Sequence, residues 1–150
     1  LRITHASGGG RMHGIRGSIR RAFRTSALDR PEVFERLLDQ LPPLAEDEFR
    51  RHDARALTEW LRPSLADGAE SEGPSFRFSN LEQKYAVWVR LLRRFARDRP
   101  LVVWVDDLQW GRETMGALEY LFDGADPPPH PASSGHSTPG KASRHGDGTA

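Results

Sequence analysis

Apolar residues recur at helical spacing in five stretches of the chain and run without interruption in a sixth. Ile15, Ile19, Ala22 and Phe23 mark a short basic helix over about 15–25, with Arg16, Arg20, Arg21 and Arg24 on its other faces. Asp29 is placed to cap a second helix, Pro31 fits its first turn, and Val33, Phe34, Leu37, Leu38 and Leu41 form its apolar stripe before Pro42 and Pro43 stop it. A third helix over about 50–62 carries Ala54, Leu57, Trp60 and Leu61 inward and ends at Pro63. The fourth, over about 80–97, buries Tyr85, Trp88, Val89, Leu92, Phe95 and Ala96 and leaves Gln83, Arg90, Arg93, Arg94 and Arg97 in water. A fifth over about 113–122 turns Met115, Leu118, Leu121 and Phe122 inward.

The uninterrupted run is 101–105 (LVVWV), directly after Arg99 and Pro100. With no polar position in it, the pattern predicts a parallel-type strand covered on both faces, flanked by the fourth and fifth helices. No other upstream segment reads as an equally good strand, so this one is expected to lack ladder partners. Helix, buried strand, acidic turn and helix follow the rhythm of an α/β domain.

Composition trims this picture at both ends. Residues 1–14 hold three consecutive glycines and read as a flexible leader, and 66–78 is an acidic, turn-rich loop. From Asp123 to the end Pro, Gly, Ser and His dominate, so 123–150 is expected to be disordered. That leaves 15–122 as the foldable part. The formal net charge of +1 gives no global field for nucleic acid or membrane, and no apolar run is long enough to span a bilayer. Twenty arginines against two lysines suggest a high-GC bacterial source and solvated helix faces. The absence of cysteine excludes disulfides and thiolate metal sites and fits a reducing cytoplasm. A start at Leu1 rather than methionine suggests a fragment.

Candidate chemistry sits where the strand ends. Asp106 and Asp107 follow the apolar run, and open parallel sheets bind ligands beyond the carboxyl ends of their strands. One carboxylate there can hold hydrated Mg²⁺ and a second can orient attacking water in phosphoryl transfer, although the pair alone serves equally well as a turn cap. The surrounding residues tip the balance. RPLVVWVDDLQW, preceded by a Leu- and Arg-rich amphipathic helix and followed by another, resembles the Walker B segment of STAND-type ATPases within the AAA+ superfamily. Such modules occur in large bacterial signalling proteins beside kinase, cyclase or DNA-binding domains. The resemblance covers roughly 81–122. It implies a P-loop NTPase fold of which this chain is a mostly helical part, ATP and Mg²⁺ as cofactors of the intact parent, Asp106 as the metal ligand, Asp107 as the catalytic carboxylate and Trp110 as a packing residue beneath the site. After the tryptophan the family has a small residue and then Asp, whereas this chain has Gly111 and Arg112.

The other half of such a site is missing upstream. A phosphate loop needs glycines, a lysine and a Ser or Thr. Lys84 lies inside an amphipathic helix, and no lysine follows Gly8, Gly9 and Gly10. Downstream, Gly135 to Lys141 fits G-x-x-x-x-G-K formally. It has Ala142 in place of the hydroxyl, no strand before it and no helix after it, so it reads as coincidence. His130, His136 and His145 match no compact ligand spacing. Two further readings compete with the ATPase fragment: a non-catalytic regulatory or interaction module that keeps the helix–strand–helix unit, and a nucleic-acid binder using Arg16, Arg20, Arg21 and Arg24. The last has no groove-reading motif behind it.

Overall fold

The computed structural model describes residues 1–6, 13–43, 48–64 and 76–124. Within them the order is β1 (Arg2–Thr4), α1 (Gly14–Phe23), α2 (Arg30–Gln40), α3 (Glu48–Leu61), α4 (Leu81–Ala96), β2 (Trp104–Asp106), a 3-10 turn (Leu108–Trp110) and α5 (Arg112–Phe122). The fold is mostly helical, with a two-stranded parallel sheet. No described helix is long and apolar enough to cross a membrane. The glycine run at 8–10, most of the acidic loop, the formal G-x-x-x-x-G-K match, the tail histidines and nearly all of 123–150 lie outside the described residues.

Local chemistry sets the helix bounds. Asp29 accepts the Glu32 amide at 2.9 Å while the Glu32 carboxylate accepts the Asp29 amide at 2.9 Å, a reciprocal capping box that fixes the start of α2. Asn80 accepts the Gln83 amide at 3.0 Å and starts α4 in the same manner. Arg24, at φ 54°, closes α1 in the left-handed conformation. The core is one cluster joining Ile15, Ile19 and Phe23 of α1, Val33 and Leu37 of α2, Leu57 and Trp60 of α3 and Trp88 of α4, with Ile3 of β1 fully buried among them.

Several expectations need correction. Residues 2–4 are a strand and not part of a flexible leader. They pair in parallel with β2 in the register Arg2–Trp104, Ile3–Val105, Thr4–Asp106, so the acidic strand does have a ladder partner. The strand itself is Trp104–Asp106 and not 101–105, and the 101–105 run is covered on one face only. Leu101, Val103 and Val105 pack on the core, whereas Val102 is 74% and Trp104 64% exposed. In α5 the inward positions are Thr114 and Ala117, supported by Leu118, Tyr120 and Leu121, and Met115 and Phe122 face water. Ala22 and Ala96 are exposed as well.

The arginines depart furthest from a solvated role. Arg94 is 1% exposed and donates to Asp53, itself buried, at 2.8 Å, and to the Pro42 carbonyl at 2.9 Å. Arg90 meets the other Asp53 oxygen at 2.9 Å. Arg16 and Arg20 both donate to the Leu61 carbonyl, Arg30 donates to that of Arg62, and Arg62 reaches the Ser26 and Leu28 carbonyls. Guanidinium forks thus satisfy the orphan carbonyls at the end of α3, the negative end of its dipole. α4 is buried on two sides because Val87, Leu91 and Arg94 are covered in addition to Tyr85, Trp88 and Leu92.

Candidate functional site

Both strands run in the same direction, so their carboxyl ends meet at one edge of the molecule. β1 delivers Thr4 and His5 there, and β2 delivers Asp106 and Asp107. Asp106 ends the ladder. One of its oxygens lies 3.2 Å from an Arg2 guanidinium nitrogen, an exposed pair that contributes little to stability. Asp107 is exposed, has φ 53° and accepts a long 3.4 Å contact from Gln109 Nε2. A non-glycine residue in this left-handed region is uncommon and marks a constrained turn. The turn is closed by Trp110 N–H donating to the Asp107 carbonyl at 3.0 Å and Gly111 N–H donating to that of Leu108 at 2.8 Å.

His5 holds this turn from behind. A Cβ on Gly111 would stand 2.5 Å from His5 Nε2 and 2.6 Å from Cε1, so only glycine admits the imidazole here. The same ring lies against Gly14 at the start of α1, where φ is +65°. His5 Nε2 and His13 Nδ1 are buried without a hydrogen-bond partner among the described residues. Burial pushes the His5 imidazole below its ordinary value; His13 adds to that, while Asp107 and Glu113 oppose it.

The strand end therefore brings together Asp106 and Asp107, both predicted, with Arg2, His5 and Gly111, which had no assigned part in it. Only Gly111 had left a sign in the sequence, as a small residue after the tryptophan. Arg2 and His5 were hidden in what read as a leader. Trp110, expected to pack beneath the site, is 57% exposed. Arg112 opens α5 with no side-chain cap before it, and Glu113 is the acidic residue of that first turn. Three of the four arginines weighed for nucleic acid have partners inside the fold: Arg16 and Arg20 on the Leu61 carbonyl and Arg21 on that of Arg2, whereas Arg24 is exposed.

No described group of three or more His, Asp or Glu residues could by itself hold a metal ion. Two carboxylates at a strand end fit Mg²⁺ in a different mode, in which one or two carboxylates share the ion with waters and nucleotide phosphates. In that mode Asp106 would exchange its contact with Arg2 for the hydrated ion. Comparisons with protein-family models, curated proteins and solved structures find no match to this chain.

Proposed function

We propose that the chain is part of a bacterial, cytoplasmic signal-transduction ATPase of the STAND type, and that it contributes the acidic strand end of the nucleotide site. The observation supporting this reading is the placement of Asp106 and Asp107 at the carboxyl end of a parallel-paired strand, followed at once by a tight turn and α5. In the intact parent Asp106 would hold Mg²⁺ through water and Asp107 would orient the attacking water. The ion would neutralise charge on the transferring phosphate. The 150 residues contain no G-x-x-x-x-G-K-[ST], so the phosphate cradle has to come from elsewhere in the parent.

The chain by itself is expected to hydrolyse ATP no faster than background, because phosphoryl transfer rests on positioning and the lysine loop is absent. Two measurements bear on this: phosphate release by the 150-residue chain with magnesium, and the same assay on a chain extended upstream in frame. Turnover by the short chain that Asp107→Asn abolishes would contradict the incomplete site. An extended chain without a lysine loop or ATP turnover would contradict the ATPase origin.

A second reading, a non-catalytic interaction module, has one observation in its favour. The Asp106 carboxylate already has a partner in Arg2, which suits a structural role. Arg2→Ala separates the two readings. Tighter Mn²⁺ binding at Asp106 favours the nucleotide site, and a loosened strand pair with no change in Mn²⁺ binding favours the module.

A further inference from the structure

Gly111 is the one buried residue of the acidic turn. Asp107, Gln109 and Trp110 are exposed, Leu108 is half-buried, and the His5 ring lies directly over Gly111. The two backbone hydrogen bonds that close the turn are internal to it, and the Asp107 carboxylate has no nearer contact than Gln109 at 3.4 Å. A non-glycine residue in the left-handed region persists only where its surroundings over-determine it. Behind Asp107 that support is a side chain from the other strand.

The seat on Gly111 suits the neutral ring alone. Neutral imidazole has one N–H and one bare nitrogen, whereas imidazolium has two N–H groups, each needing an acceptor. His5 Nε2 is buried against Gly111 and has no acceptor among the described residues. Protonated there, it would be a buried cationic donor with nothing to receive it, an expensive state. The titratable groups that face the ring are His13 before α1, Asp107 in the turn and Glu113 in the first turn of α5. His13 disfavours a charge on the ring, while the two carboxylates attract one. Both carboxylates are exposed, and neither hydrogen-bonds the ring in its seat. A second proton therefore draws the imidazole off Gly111 and toward them. Burial already holds the ring below its ordinary value, in keeping with a seat that resists charge.

We propose that His5 is a proton-operated wedge beneath the acidic turn. Neutral, its ring fills the seat on Gly111 and keeps Asp107 in the left-handed conformation; charged, it leaves the seat and the turn relaxes. The wedge uses the ring, the glycine and the turn, so it stands on either reading of the carboxylates. On the nucleotide reading it makes the placing of Asp107 depend on pH.

Nuclear magnetic resonance on the 150-residue chain tests it. At about pH 7.5 the His5 Hε1 proton should show a nuclear Overhauser effect to the Gly111 α-protons, lost by about pH 5. The amides of 107–111 should shift over the same range with the midpoint of the His5 ring, while helical circular dichroism stays constant. His5→Gln should abolish that titration of the turn. Gly111→Ala fills the seat from the other side and should move the His5 midpoint up toward its ordinary value. An Overhauser effect missing at the higher pH, or retained at the lower one, overturns the proposal. So do turn amides that follow the His13 midpoint or still titrate in His5→Gln, and a His5 midpoint unmoved by Gly111→Ala.

Discussion

The helical body and the sheet end satisfy their polar groups in different ways. In the body the buried charges are matched: Asp53 receives Arg90 and Arg94, and the carbonyls ending α3 receive Arg16, Arg20 and Arg30. At the sheet end an outward backbone edge, two exposed apolar side chains and two buried imidazole nitrogens have no partners among the described residues. The contrast lies in the matched charges of the body and not in complete satisfaction of its polar atoms, since Trp88 Nε1 and Thr25 Oγ1 are also buried without a hydrogen-bond partner. Polar groups kept out of water without partners cost free energy, so a region that keeps several of them is either strained or awaiting a contact.

The comparison is tested most severely in the body. Asp53→Ala leaves Arg94, 1% exposed, as a buried charge without its carboxylate, and should cost about 3–5 kcal/mol in a urea titration. A loss below about 1 kcal/mol would mean that the network is incidental. At the sheet end, Gly111→Ala drives a methyl group into the His5 ring and should cost about 1–3 kcal/mol, most of it regained when His5→Ala is added. Additive losses in the double variant would show that the ring and the glycine do not share one space.

The smallest effect is that of pH. Burial holds the folded His5 pKa below its ordinary 6.5, so between that value and the folded one the unfolded chain binds more protons. Stability should therefore be fully present above about pH 6.5 and decline as pH falls through this window. His5→Gln should flatten the slope below pH 6.5, measured by thermal melting; an unchanged slope would remove His5 as its origin.

The helices were legible because their periodicity and caps are local: Asp29 with Glu32 and Asn80 with Gln83 lie within one turn of each other. The acidic strand end was legible for the same reason, since apolar run and carboxylates are contiguous. Arg94 was misplaced because its long side chain leaves the surface only when Asp53, 41 positions away, receives it. Such pairing leaves no trace in a 3.6-residue repeat. β1 escaped notice because Arg2, Ile3 and Thr4 show a single buried apolar residue, and strand character at that length comes from the partner. The 101–105 run was read as doubly covered because it has no polar residue. In the fold its outer face belongs to Val102 and Trp104, apolar but uncovered.

The convergence of Arg16 and Arg20 on the single carbonyl of Leu61 has a consequence for how the molecule breathes. Helix ends ordinarily fray first, opening and closing independently of the rest. Here the last turn of α3 cannot open without releasing two guanidinium groups rooted in α1, and the Arg62 side chain also grips the Ser26 and Leu28 carbonyls. Amide protons at the end of α3, in α1 and near 25–30 should therefore exchange with deuterium at matching opening free energies. The arginine cluster would make one cooperative unit out of α1, the adjoining 25–30 segment and the distant end of α3.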